Sequence, residues 1–215
     1  MIGAPIGGAP IGGAPLVYII PAAHTKEGKE RLRDYYEALG RFVDKFSRVE
    51  AAITRTLWHY AKTSPEIAKI VFSGAKLDSS TQYIKQIAKA TNVRQELRDD
   101  LDDVFQQLGI INGVRNGVVH YGAEFVAEGN AIVSDALKAK GEPYSFPISP
   151  DALNDMTADL DKIIAHLKTQ HLNDHRSYTI LGNPMHSSWR YKHPVVPKTR
   201  QGKAEDRRTQ TRDPK

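Results

Sequence analysis

The sequence predicts an all-α protein, an antiparallel helical bundle with a small β-hairpin after its penultimate long helix. Two long segments, residues 29–62 and 93–120, repeat apolar residues at spacings of three and four, the period of a helix with one buried face. A third helix is expected to begin at Ser149-Pro150, a pair typical of helix starts. The 215 residues are enough for one domain with tails.

Three parts are expected along the chain. Residues 1–25 form a low-complexity leader whose Gly/Ala/Pro repeats cannot make a packed layer. Residues 26–172 carry the helical pattern, and residues 173–215 form a basic tail that is expected to be disordered. The tail holds ten Lys and Arg against four Asp and Glu, whereas the rest of the chain holds twenty against twenty-one. The positive excess therefore lies in the tail, which favours attraction to nucleic acid.

Composition excludes several classes of protein. The chain has no Cys, which excludes disulfides and thiolate metal sites and indicates a reducing compartment, so that a cytoplasmic location is expected. No apolar run approaches the length of about 18 residues that a membrane span requires. A secretory signal is not expected, because the leader lacks a basic start and an unbroken apolar core. No phosphate-binding Gly loop or serine nucleophile elbow is present.

The first long helix is expected from Lys29 to about Lys62. Its predicted core face is Leu32, Tyr36, Leu39, Val43, Phe46, Ile53, Leu57 and Tyr60. Glu50 falls within this face, between Phe46 and Ile53. Because carboxylates are almost never fully buried unless paired, we expect Glu50 to contact a cation or a donor on another helix.

Short elements follow the first helix. Ser64 and Pro65 predict the cap and first residue of a short helix that Gly74 ends. Asp78 or Ser79 is expected to cap the next helix. After the second long helix, the turn sequence Glu128-Gly129-Asn130 predicts a hairpin between Phe125-Val126 and Ile132-Val133. Residues 141–149 are interpreted as a Pro-interrupted loop, and the last helix has an expected core face of Leu153, Met156, Leu160, Ile163 and Leu167.

The most informative stretch lies at the end of the second long helix. It places Arg115, Asn116 and His120 within about two helical turns. It also contains glycines where a helix would prefer alanine, at a cost of roughly 0.5–1 kcal/mol each. On a helical projection these glycines leave a shallow groove beside His120, which a partner helix or a nucleotide backbone could occupy. They are Gly109, Gly113 and Gly117.

Arg115, then Asn116-Gly117-Val118-Val119, then His120 resembles the signature of the HEPN superfamily, helical-bundle domains with an Arg, four to six residues, then a His. The resemblance covers this motif and the helical pattern of residues 29–172. It implies a metal-independent endoribonuclease, of the toxin or defence type, in which a ribose 2′-hydroxyl attacks the adjacent phosphate. It further implies that Arg115, Asn116 and His120 form the catalytic site, that no cofactor is needed, and that the site is shared between two protomers.

The expected partners follow from the same resemblance. They are RNA, a second copy of the chain in a homodimer, and an antitoxin or a small nucleotidyltransferase.

Glu50 is expected to pair with Arg115, or otherwise with Asn116 or His120, and so to fix the direction of the guanidinium. Some HEPN toxins carry a Tyr two residues after the His; here that place is Gly122, directly after Tyr121.

Two other functions remain open at this stage. The chain could be a non-catalytic HEPN-like module that binds nucleotide, RNA or protein through the same groove. It could also be a structural dimerisation domain in which Arg115 and His120 only complement the dipole at a helix C-terminus.

No metal site is expected. The acidic run Asp99, Asp100, Asp102 and Asp103 is interpreted as a solvated helix face. His59 and His166 have no acidic or histidine partner at the spacing of four that would indicate a metal ligand pair. His171 has only the tail residue His175 at that spacing, and the tail histidines are too loosely spaced for a zinc module.

Overall fold

The computed structural model describes residues 25–125, 131–134, 145–174 and 188–192. The predictions for the leader, for the hairpin turn at 128–130 and for most of the tail lie outside these residues. Within them, most of the chain is helical, as predicted. The helices are α1 (Lys26–Ala61), α2 (Pro65–Phe72), α3 (Leu77–Ala90), α4 (Gln95–Tyr121) and α5 (Pro150–His166), which continues as a π-helical turn over Leu167–His171.

Most helix boundaries follow the predicted signals. The Ser64 hydroxyl accepts from the Ile67 N–H at 3.4 Å, and the Ser149 hydroxyl accepts from the Ala152 N–H at 3.1 Å. Each of these caps precedes a Pro, whose missing N–H costs nothing at a helix start. The predicted cap of α3 is wrong, because that helix begins at Leu77 and Asp78 lies in its first turn. Asp78 instead accepts a hydrogen bond from the Asn112 amide at 3.2 Å.

The long helices form a bundle in which α1 and α4 face each other across the core. Each of them packs against α3 and α5, which lie between them. Side-chain pairs give the directions: Lys85–Asp102 and Asp78–Asn112 show that α3 and α4 are antiparallel. Likewise, Gln107–Asp159 and Asp100–His166 show that α4 and α5 are antiparallel. However, α1 and α5 run in the same direction, since Arg41 meets Asn154 and Tyr60 meets His171.

The core of the bundle confirms the predicted face of α5 and corrects that of α1. In the first half of α1 the predicted face is wrong by one residue: Tyr36 and Val43 are exposed, while Tyr35 and Phe42 are buried. A straight helix drifts against a fixed spacing over this length, so one apolar line cannot stay buried throughout. The fully buried large side chains include Phe42, Phe46, Ile53, Leu57, Leu101, Leu108, Ile111, Leu153, Met156 and Leu160.

A small antiparallel sheet follows α4, with strands β1 (Glu124–Phe125), β2 (Ala131–Ser134) and β3 (Ser145–Ile148) in that order. Strands β1 and β2 confirm that an antiparallel pair forms where the hairpin is predicted, with Phe125 opposite Ala131, while Val126 lies outside the described residues. The third strand contradicts the expected loop. Pro147 lies in β3 opposite Ile132, and because β3 is an edge strand of this sheet its proline removes no hydrogen bond that the sheet needs.

None of the described helices is long and apolar enough to cross a membrane.

Candidate functional site

The last turns of α4 carry the three motif side chains. The helix ends at Tyr121, and Gly122 follows with a φ of 72°, a conformation that favours glycine. Arg115 and Asn116 are half-buried, and His120 is exposed. A titratable side chain that reaches solvent at a helix end is accessible to a substrate.

Arg115 is oriented by contacts on three sides. Its Nη1 donates to the Asn116 Oδ1 at 3.0 Å, and its Nη2 lies 3.8 Å from the Glu50 Oε1. Its guanidinium carbon lies 5.1 Å from the centroid of the Phe46 ring, within the range of a cation–π contact. A guanidinium has five N–H donors, so these contacts leave others for a phosphate.

The predicted proximity of Glu50 and Arg115 is present, but the predicted burial of Glu50 is wrong. The Glu50 side chain is 44% exposed and that of Arg115 is 31% exposed. The 3.8 Å approach is an ion pair rather than a hydrogen bond. The two residues belong to helices that face each other across the bundle rather than to adjacent ones, so only their long side chains meet.

A shallow pocket lies beside His120, between α4 and the sheet. Its volume is about 190 Å³, and we call it the α4–sheet pocket. It brings together two of the predicted catalytic residues, Asn116 and His120, with two of the predicted groove glycines. The residues that line it are Gly113, Asn116, Gly117, His120, Tyr121, Val133 and Phe146.

The three groove glycines have different surroundings. A Cβ on Gly117 would lie 3.1 Å from the Phe146 ring and 3.2 Å from the Val133 Cγ1, so α4 and the sheet approach closely there. A Cβ on Gly109 or Gly113 would have no atom within 4 Å. The expected close approach is therefore made within the chain at Gly117, while Gly113 opens the pocket and Gly109 lies outside it.

A network of side-chain hydrogen bonds, which the sequence interpretation missed, joins α1, α4 and α5. His166 Nδ1 donates to Asp100 Oδ1 at 2.6 Å, and His171 Nε2 donates to Asp100 Oδ2 at 2.9 Å. The other ring nitrogen of His171 lies 2.9 Å from the Tyr60 hydroxyl. The imidazoles must be the donors to Asp100, because an ionised carboxylate only accepts.

The electrostatics of this hydrogen-bond network favour a charged Asp100. Burial alone raises the pKa of Asp100, but the hydrogen bonds and charges of His166 and His171 outweigh it and hold that pKa well below its usual range. Burial, and then the charge of Asp100, raise the pKa of Tyr60. Asp100 is thus a structural anion and not part of a solvated face, which corrects the interpretation of the acidic run.

The spacing of the two histidines explains why sequence reasoning missed this hydrogen-bond network. Residues five apart lie about 140° apart around an α-helix, on different faces. The π-helical turn Leu167–His171 closes its hydrogen bonds at a spacing of five and brings His166 and His171 to the same carboxylate. No residue pattern in the sequence signals that turn.

Residues 188–192 of the predicted tail are called the strap, which contacts the bundle through Trp189, Arg190 and Tyr191. Asp159, which is 1% exposed, accepts from the backbone N–H groups of Arg190 and Tyr191, both at 2.9 Å. Gln107 donates to Asp159 at 2.9 Å and to the Tyr191 carbonyl at 3.1 Å. The strap differs from the expectation that residues 173–215 form a disordered tail.

Aromatic contacts complete the strap. The Trp189 ring lies 4.1 Å from the Lys162 Nζ, and its indole N–H donates to Asp103 at 3.2 Å. Burial lowers the pKa of Lys162, and the charges of Asp103, Asp159 and Asp100 oppose that shift. Sequence signals for the strap were limited to its two aromatic residues, Trp189 and Tyr191, among basic ones.

The described residues contain no group of three or more His, Asp or Glu side chains that could hold a metal ion. Each member of the acidic run meets a separate partner: Asp99 meets Gln95, Asp102 meets Lys85, Asp103 meets Trp189 and Asp100 meets the histidines. No family model, curated protein or solved structure matches the chain.

Proposed function

We propose that the chain is a HEPN-type, metal-independent endoribonuclease. The observation that carries the proposal is the placement of Arg115, Asn116 and His120 at the end of α4, with the exposed imidazole beside the α4–sheet pocket. An imidazole can take or give a proton near neutral pH, and a guanidinium stabilises charge that builds on a phosphate. These groups suit cleavage of a phosphodiester that carries its own nucleophile.

In the proposed reaction the ribose 2′-oxygen attacks the adjacent phosphorus and the bond from phosphorus to the 5′-oxygen breaks. The products are a 2′,3′-cyclic phosphate and a free 5′-hydroxyl. His120 takes the 2′-hydroxyl proton, and a second imidazole gives a proton to the leaving 5′-oxygen, which balances the step. Arg115 stabilises the negative charge on the non-bridging oxygens.

The need for a second imidazole supports the proposal of a homodimer in which two copies of His120 face one RNA strand. Gly109 and Gly113 leave the neighbouring surface of α4 open to a second helix, since neither would meet an atom through an added Cβ. Light scattering at micromolar concentration tests this: a species of twice 23.9 kDa is expected, and a 23.9 kDa species alone contradicts it.

The biological setting belongs to the same proposal. A HEPN ribonuclease of the toxin or defence type acts in the cytoplasm and is restrained by an antitoxin or a nucleotidyltransferase. The absence of cysteine agrees with a reducing compartment.

A second candidate is a HEPN-like module that binds RNA or nucleotide without cleaving it. The contact between Arg115 and Glu50 favours this alternative, because a carboxylate 3.8 Å away offsets part of the charge that a transition state would need. Binding without turnover would then be the activity.

Incubation of single-stranded RNA with the full chain in EDTA separates the candidates. The ribonuclease proposal expects cleavage by the wild type and by His59→Ala, an exposed histidine outside the site, and none by His120→Ala. RNA binding with no cleavage by any of the three proteins supports the binding module instead.

A further inference from the structure

The α4–sheet pocket is too small for a whole nucleotide. Its volume of about 190 Å³ lies below the ~300–1,000 Å³ of pockets that enclose drug-sized ligands. A pocket of this size accommodates one ring system of a larger ligand, and the remainder of that ligand must lie outside it. His120 stands at the opening, so the remainder would pass the proposed catalytic imidazole.

The pocket has an apolar floor and several aromatic groups. Val133 and Phe146 come from β2 and β3 and are almost fully buried, and the absence of a side chain at Gly117 lets both reach α4. Tyr121 and His120 add rings at the exposed side. Single-stranded RNA is commonly recognised by stacking unpaired bases on aromatic side chains, at about 1–3 kcal/mol per base.

Asn116 supplies a polar group of fixed orientation. A guanidinium has no acceptor, so the hydrogen bond from Arg115 requires that the Asn116 oxygen face Arg115. The Asn116 amide nitrogen consequently points away from Arg115 as a donor, and the described residues offer it no hydrogen-bond acceptor. A donor at the edge of an apolar pocket matches an acceptor on the edge of a base.

We propose that the α4–sheet pocket holds one nucleobase, next to a phosphate that His120 faces. This proposal rests on RNA being the ligand of the site, but it does not require catalysis. Phe146, Tyr121 and His120 would contact the ring, and Asn116 would donate to its edge. Phosphate contacts alone cannot distinguish one base from another, so this pocket would determine sequence preference.

Gly113 offers a way to fill the pocket without disturbing the fold. It lines the pocket, and an added Cβ there meets no atom within 4 Å. Gly113→Leu is therefore expected to fold and to crowd the pocket. Gly40→Leu, at an open position on α1, is the matched control. Gly109→Leu lies on the same helix but outside the pocket and shows whether a change in dimerisation alone alters binding.

The experiment titrates the full-length proteins with uridine 5′-monophosphate and with ribose 5-phosphate, which lacks the base, by NMR. The wild type is expected to bind the nucleotide at least tenfold more tightly than the sugar phosphate. Gly113→Leu should remove that difference, whereas Gly40→Leu and Gly109→Leu should keep it. Folding of each variant is checked by its melting temperature.

Three results would overturn the proposal: equal affinity of the wild type for the two ligands, unchanged preference in Gly113→Leu, or equal loss in Gly109→Leu. None of these measurements depends on cleavage. A chain that shows the base preference but leaves RNA intact would refute the ribonuclease and keep the pocket. A protein that cleaves RNA but binds both ligands equally would refute the nucleobase pocket and keep the ribonuclease.

Discussion

Glu50 on α1 and Arg115 on α4 approach to 3.8 Å between Oε1 and Nη2, although each of their helices packs mainly against α3 and α5. This contact connects the first long helix to the proposed catalytic arginine. The Phe46 ring lies on the same helix as Glu50 and against the same guanidinium. The first long helix, α1, thus orients Arg115, a residue of the motif at the end of α4.

Glu50→Gln should change the free energy of unfolding by no more than about 1 kcal/mol, because partly exposed ion pairs contribute little. The 3–5 kcal/mol that a buried pair would imply is no longer expected. The variant should lower kcat for RNA more than it raises KM, because the loss of an anchor for the guanidinium should outweigh the removal of a carboxylate that offsets part of its charge. Urea denaturation and steady-state kinetics measure both effects. Glu37→Gln, on the exposed side of α1, is the control and should change neither the free energy of unfolding nor kcat. A loss of kcat in this control would contradict a specific role of Glu50 in positioning Arg115.

Asp100→Asn should destabilise the protein at neutral pH by about 3 kcal/mol, because hydrogen bonds to a charged group are worth roughly 1.5–3 kcal/mol each. Since the folded-state pKa of Asp100 is depressed, its contribution is fully present above the unfolded pKa of about 3.9 and is lost as pH falls below that value. The difference between wild type and variant should therefore shrink between about pH 5 and pH 2.5.

Chemical denaturation across that range measures the difference. The side chains that contact Asp100, His166 and His171, are present in both proteins, as is Tyr60. Asp99→Asn, an exposed substitution on the same helix, is the control. A difference that stays constant down to the lowest pH would contradict the assignment of Asp100 as an anion held by two imidazoles.

Gly117→Ala and Gly113→Ala should have opposite effects on stability. The Cβ at Gly117 would press on Phe146 and Val133 at 3.1–3.2 Å, and such overpacking costs typically about 1–3 kcal/mol. The Cβ at Gly113 meets nothing, so alanine should stabilise the helix by about 0.5–1 kcal/mol. Thermal unfolding of the two variants tests this; equal effects would mean that α4 and the sheet do not pack as described.

Two C-terminal deletions, one that keeps the strap and one that removes it, should have different effects. Removing 193–215 takes away seven Lys and Arg and three Asp and Glu and should flatten the salt dependence of RNA binding while melting stays the same. Removing 188–215 should also destabilise the fold, because Asp159 and Gln107 lose buried partners worth about 1–3 kcal/mol each. If the longer deletion melts like the shorter one, the strap does not hold the bundle.

The long helices and the position of the motif could be predicted because apolar spacing and cap residues are local signals. Ser149-Pro150 and the apolar line of α5 needed no knowledge of the rest of the chain. The phase of α1 could not be predicted over its full length, because which line is buried depends on where α5 and α3 pack. The same uncertainty placed Glu50 in the core when it lies at the edge of the buried face.

Contacts that depend on non-local geometry were not predictable. The pairing of His166 and His171 on Asp100 needs a π-helical turn, which no residue type marks. Strand β3 was missed because proline usually excludes a strand and only the order of the sheet shows that Pro147 is on an edge. In the candidate site, the motif residues were identified from the sequence, but the contact of Val133 and Phe146 with Gly117, which forms the floor of the pocket, depends on how the sheet folds back onto α4.

The most direct test of the central claim, that His120 drives attack by the 2′-hydroxyl without metal, is the chemical identity of the RNA ends. Full-length protein is incubated with single-stranded RNA in EDTA, and the products are analysed by mass spectrometry beside those of the all-2′-deoxy strand. The account predicts 2′,3′-cyclic phosphate and 5′-hydroxyl ends from RNA, no cleavage of the deoxy strand and none by His120→Ala. Cleavage of the deoxy strand, a strict requirement for Mg²⁺, or full activity of His120→Ala would contradict it.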